Sequence, residues 1–155
     1  MPRIPGCFLT HLPPTCSTGC GKAWPSLLRK GCRPSSRHAR YAEAIRRAVR
    51  AWGLDIVCRN PAEYSSTLTA VLLPDGHDAD RVRQLILSRY NMSLGAGLGK
   101  LAGRVFRIGH LGDLGELSLA GALCGAEMGR AQVGVPIARD GVRAALSYLG
   151  PDAAP

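Results

Sequence analysis

The chain has 155 residues, 46% of them apolar and 5% aromatic, which suffices for one domain with a real core, is short for two, and leaves few rings to stack on bases or sugars. No run reaches the roughly 18 consecutive apolar residues of a bilayer span, and the opening MPRIPGCFLTHLPPTC lacks the apolar stretch of a secretory signal, so a soluble, cytoplasmic protein without a membrane partner is expected. The net charge of +9 is not spread over the sequence: residues 1–40 hold seven basic side chains (Arg3, Lys22, Arg29, Lys30, Arg33, Arg37, Arg40) and no acidic one, leaving thirteen basic against eleven acidic beyond them.

Residues 1–36 keep no hydrophobic period for more than a few positions, are broken by Pro2, Pro5, Pro13, Pro14, Pro25 and Pro34, and hold four of the six cysteines, so little stable structure is expected there. From Arg37 the pattern becomes regular. Ile45, Ala48, Val49 and Trp52 fall at i, i+3, i+4 and i+7, and Gly53 stands where a helix end favours a left-handed residue. Leu54 to Cys58 reads as a short strand, and Ser66 to Leu73, closed by Pro74-Asp75-Gly76, as a second. Asp78 is an N-cap candidate for a helix to about Arg89 with Val82, Leu85, Ile86 and Tyr90 on its buried stripe.

A glycine-rich loop, SLGAGLGKLAG, precedes a strand from Arg104 to Gly109. Asp113 and Glu116 make an acidic variant of the capping box for a helix to about Arg130, with Gly121, Gly125 and Gly129 on one face. A last helix spans Ile137 to Tyr148 on Val142, Ala145 and Leu149, and the tail 150–155 should fray. Short strands interleaved with amphipathic helices predict an α+β domain over 37–149: a small, mostly antiparallel sheet of three or four strands with helices on one face.

Several chemical motifs fail on inspection. The glycine loop is not a P-loop, because Leu94 stands at the first glycine position and Leu101 at the hydroxyl position, and the relaxed dinucleotide pattern Gly97, Gly99, Ala102 is followed by a strand and not a helix. Cys7, His11, Cys16 and Cys20 have the donor types of a zinc site, but C-x3-H-x4-C-x3-C matches no usual pair and no metal site is expected. His77 and His110 read as isolated loop or strand-end residues. Arg107 differs from these: between Phe106 and Ile108 on a strand it must face away from both, and a guanidinium held beside the glycine loop suits bidentate binding of a carboxylate, whereas an ordinary solvated strand arginine is the bland alternative.

The stretch RYNMSLGAGLGKLAGRVFRIGHLGDLGELSLAGALCGAEMG, and RVFRIGHLGDL in particular, resembles the C-terminal domain of class V aminotransferases of the serine–glyoxylate and alanine–glyoxylate group, with likeness from about Arg37 to Tyr148. The resemblance implies that Arg107 is a substrate-binding residue for the α-carboxylate. It also implies a pyridoxal phosphate enzyme that is a homodimer in its intact form and moves an amino group from serine or alanine to glyoxylate. The family's Schiff-base lysine lies upstream of everything matched here, and Lys22, Lys30 and Lys100 do not stand at its position. No catalytic or cofactor-binding residue is therefore assigned, no cofactor binding and no turnover are expected from this chain alone, and its place as an enzyme rests on the family. Gly115 and Ser118 occupy positions where the family has larger side chains.

Residues 3–36 admit a reading in the same light. Synonymous codons exist for Thr15 to Pro25 that, read one base earlier, spell NLLYGLRKGLA, and the same shift allows YTPAT before and LAEEGLPAVFA after it, all similar to the family's upstream segment. Translation out of frame up to about Ser36 would explain the charge and cysteine asymmetry and would remove the Tyr and Thr that the family uses near the cofactor phosphate. The alternative is a small basic protein that uses residues 1–40 on nucleic acid or a metal, for which nucleic acid is the weaker case given the neutral remainder.

Overall fold

A computed structural model of the chain describes residues 34–136 and 140–150. Helix α1 runs from Pro34 to Ala51, and its apolar stripe is buried: Ile45, Ala48 and Val49 are fully enclosed and Trp52 nearly so. Gly53 turns out of the helix at φ 73°, as its position predicts. Strand β1 is only Asp55–Ile56, shorter than the sequence pattern, although Val57 extends the pairing by donating to the carbonyl of Ala70 at 3.0 Å. Strand β2 covers Leu68–Leu72.

Helix α2, Ala79–Tyr90, begins under Asp78, whose carboxylate accepts from the Asp80 amide at 2.8 Å. Ala79, Val82 and Ile86 are its buried residues, while Leu85 and Tyr90 are half-buried. The glycine loop holds a strand that no side-chain pattern announces, β3 at Gly95–Ala96, followed by a 3-10 turn at Gly99–Leu101. Strand β4 is Val105–Gly109, helix α3 Glu116–Val133, and helix α4 Gly141–Leu149; residues 137–139 of the last predicted helix lie outside the described residues.

The four strands form one antiparallel sheet in the order β1-β2-β4-β3. Register sets its two faces. Val71 pairs with Phe106 and Thr69 with Ile108, and these side chains point into the core, while Ala70 pairs with Arg107 and Gly95 pairs with Arg107 from the other side. The helices enclose the core face: α1 packs on β2 and α4, α2 on β4 and α3. Gly129 lets α3 approach α2, because a Cβ there would fall inside contact distance of the Ile86 side chain, and Gly125 does the same against Met92. Gly121, on the same face, meets nothing within 4 Å.

The predicted capping box at Asp113 and Glu116 is not what starts α3. Gly115 is the N-cap with no side-chain hydrogen bond, and Glu116 is already the first helical residue. Both carboxylates are drawn instead to α1: Arg37 donates to Asp113 at 3.3 Å and to the Gly112 carbonyl at 2.9 Å, and Arg40 pairs with Glu116 at 3.0 Å. Asp113 stands two residues before the N-cap, too early to cap the helix itself. No helix among the described residues is long and apolar enough to cross a membrane.

Candidate functional site

A cleft of about 680 Å³ opens where β3 and the end of β4 meet the segment 90–94 and the start of α3. Leu94, Ile108, Leu111, Leu114, Leu119 and Met92 make its walls largely apolar, and Ser93 and Ser118 add hydroxyls. Two guanidinium groups reach it, Arg83 from α2 and Arg107 from β4. They differ in how their charge is met. Arg83 is pinned: its Nη1 donates to Asp80 at 2.7 Å and its Nε to the Leu94 carbonyl at 2.8 Å.

Arg107 has no hydrogen-bond or ion-pair partner among the described residues. It lies, as the strand alternation predicts, on the opposite face from Phe106 and Ile108, half-buried, with Nε enclosed and unpartnered. Its stem crosses Gly95 on β3, where an added Cβ would stand 3.0 Å from the Arg107 Cβ and 3.2 Å from its Nε. Gly95 is a shaping residue that sequence reading did not single out, because the glycine-rich loop gives no sign of the two-residue strand in which it meets Arg107.

Of the other residues singled out, His110 follows β4 and is fully buried. Its Nε2 is 3.1 Å from Thr69 Oγ1. Burial pushes its pKa down to about 4, with the charges of Arg46 and His38 acting in the same direction and a backbone contact at Ser66 opposing, so it is neutral at physiological pH. It is a packed strand-end histidine, outside the cleft lining. His77 sits half-buried in the turn after Pro74. Lys100 is exposed on the 3-10 turn and does not line the cleft. No group of three or more His, Cys, Asp and Glu side chains suited to a metal occurs among the described residues, and Cys7, His11, Cys16 and Cys20 lie outside them.

The glycines of the loop divide by role. Gly99 and Gly103 adopt positive φ, 54° and 72°, as expected of a tight connection. Gly97 is required for a different reason, since a Cβ there would collide with the Leu101 carbonyl.

No protein-family model matches the chain. It is 53% identical over 114 residues to a serine–glyoxylate aminotransferase of Methylorubrum extorquens, covering 73% of this chain and 28% of that protein. It is 48% identical over 115 residues to the serine–glyoxylate aminotransferase of Arabidopsis thaliana, covering 74% and 29%. Among solved structures, pyridoxamine–pyruvate aminotransferase from Mesorhizobium loti superposes with a TM-score of 0.68 at 33% identity, over 74% of this chain and 30% of that one.

The chain belongs to the serine–glyoxylate aminotransferase group of class V.

What it carries is the C-terminal domain of that group, and it spans little more than a quarter of the length of the relatives it matches. The class uses pyridoxal phosphate, whose attachment needs a lysine facing the substrate. The aminotransferase domain lines its cleft with two arginines and, among the described residues, no lysine, while Lys22 and Lys30 lie outside them. These residues do not by themselves make a site for that cofactor.

Proposed function

We propose that this aminotransferase domain holds the carboxylate of a small amino acid or of glyoxylate on Arg107, as the substrate-orienting part of amino-group transfer with serine or alanine as donor. The observation that carries the reading is a half-buried guanidinium without a described partner, aimed into a mostly apolar cleft. A carboxylate is the ligand that such a fork binds through two parallel hydrogen bonds, and the apolar walls strengthen that attraction. In a complete enzyme, pyridoxal phosphate supplies the electron sink; the task left to Arg107 is to fix the carboxylate so that the Cα–H bond has one orientation.

We expect no transamination by the 155-residue chain alone, and measurable conversion of serine or alanine with glyoxylate would contradict this. The binding claim is tested separately, by titrating glyoxylate and following the backbone amide resonances of Gly95, Ala96 and Leu111, which line the cleft. Saturable shifts that disappear in Arg107→Gln support it; shifts that persist in that variant sink it.

A second part of the proposal concerns residues 3–36, which we read as translated out of frame from an aminotransferase gene. What supports it is the polarity of charge and cysteine at the N-terminal end. The arginines of its border already have carboxylate partners within the domain, Arg37 with Asp113 and Arg40 with Glu116. Codons at Thr15 to Pro25 that cannot yield NLLYGLRKGLA one base earlier would end this reading.

A further inference from the structure

We infer that Gly95 and Arg83 are positioning residues that together aim the Arg107 guanidinium into the cleft: Arg83 clips the entrance of β3, and Gly95 leaves the clearance on which Arg107 lies. The inference deepens the carboxylate reading and rests on it for its meaning in substrate binding.

The contacts form a continuous path. Asp80 Oδ1 accepts from Arg83 Nη1 at 2.7 Å, and Arg83 Nε donates to the carbonyl of Leu94 at 2.8 Å, immediately before Gly95. Gly95 is the strand partner of Arg107, so any side chain at 95 would rise on the same sheet face as the arginine. The space that a Cβ would need is filled by Arg107 itself, at 3.0 Å for its Cβ and 3.2 Å for its Nε. Nε is thereby shut against the backbone of β3, out of reach of water and without a partner.

Two consequences follow for chemistry. An arginine whose Nε edge is closed presents its far edge, the two Nη groups, so a carboxylate must approach end-on. The strand that closes it has only two residues and lies at the sheet edge, so its position depends on what grips it from outside. Among the described residues, the Arg83 hydrogen bond is the side-chain grip on its entrance. Loss of either device should let the guanidinium swing, which weakens a two-point contact more than it weakens the fold.

The test uses the full chain and two variants, Gly95→Ala and Arg83→Gln, each with a melting curve. In the absence of ligand, hydrogen exchange at Arg107 Nε–H should be slow in the parent and accelerate on the order of tenfold in both variants. Glyoxylate binding should weaken by roughly tenfold, with the parent's Nε–H resonance shifting little on binding because the ligand sits on the Nη edge. Exchange at Nε–H unchanged in both variants, or already as fast as in free arginine in the parent, overturns the inference. Should Gly95→Ala not fold, Arg83→Gln decides, since it adds no atom to β3. A parent with slow Nε–H exchange that binds no glyoxylate would refute the carboxylate reading while the exchange arms still judge the positioning.

Discussion

Arg130 and Arg107 are two cations that lack hydrogen-bond partners for part of their guanidinium, and the regions around them make opposite use of the same side chain. Arg130, on α3, is fully buried; its Nε donates to the carbonyl of Ala126 at 3.2 Å, both Nη atoms are enclosed without a partner, and the group stacks over the Trp52 ring at 3.9 Å. Glu127, one turn earlier, accepts from Trp52 Nε1 at 2.7 Å and from the Val142 amide at 3.2 Å, which seals the junction of α1, α3 and α4. Burial pushes the Arg130 pKa down to about 10, with the Glu127 charge opposing, so it stays protonated at neutral pH. Arg107 is less buried but opens into a cleft. A cation short of partners therefore marks a site only where a ligand can reach it; where none can, the same chemistry is packing.

The largest effect that would test this contrast is Trp52→Ala. Removing the ring should cost about 3–5 kcal/mol in denaturant unfolding, since it empties the α1–α3–α4 junction and strips Arg130 of its stacking partner. A cost below about 1 kcal/mol would show that the junction is not the stability centre.

Acidification comes next. His110 has a folded pKa of about 4 against an ordinary 6.5, so the unfolded chain takes up its proton first. The neutral ring's contribution is fully present above about pH 6.5 and is lost as pH falls toward 4, up to about 3 kcal/mol in all. Urea midpoints measured between those limits should fall in the parent and fall much less in His110→Gln.

The smallest effect sharpens the pair of arginines directly. Arg130→Met exchanges a poorly satisfied buried cation for an apolar side chain and should leave stability within about 1 kcal/mol or raise it. Arg107→Met should be as mild for the fold yet abolish the glyoxylate-dependent shift. A loss of about 3 kcal/mol or more from Arg130→Met would mean that its stacking outweighs the cost of its enclosure.

Elements whose pattern is carried by their own side chains were legible in the sequence. The stripe Ile45, Ala48, Val49, Trp52 fixed α1, Asp78 marked the start of α2, and strand alternation alone set Arg107 opposite to Phe106 and Ile108. Features decided from across the fold were not. Gly95 and Ala96 have no strand signature, and their pairing is imposed by β4. Asp113 and Glu116 satisfy a local capping rule but are taken by arginines more than 70 residues away in sequence, and Arg130 resembles an ordinary exposed helix-end cation until α1 and α4 close over it. Family likeness pointed to Arg107, whereas the clearance beneath it needed three-dimensional placement.

The grip of Arg40 has a mechanical corollary. Its Nη2 donates to the carbonyl of Leu149 at 2.6 Å while Nη1 holds Glu116, and Arg47 lies 4.1 Å over the Tyr148 ring, so the opening and closing helices of the domain are fastened together although Arg40 and Leu149 stand 109 residues apart in sequence. A domain whose first and last described helices are already in contact tolerates rewiring: joining them with a short linker and cutting the exposed Pro74–Gly76 turn should yield a circular permutant of the same topology. Such a permutant would also relieve the domain of whatever precedes its first helix.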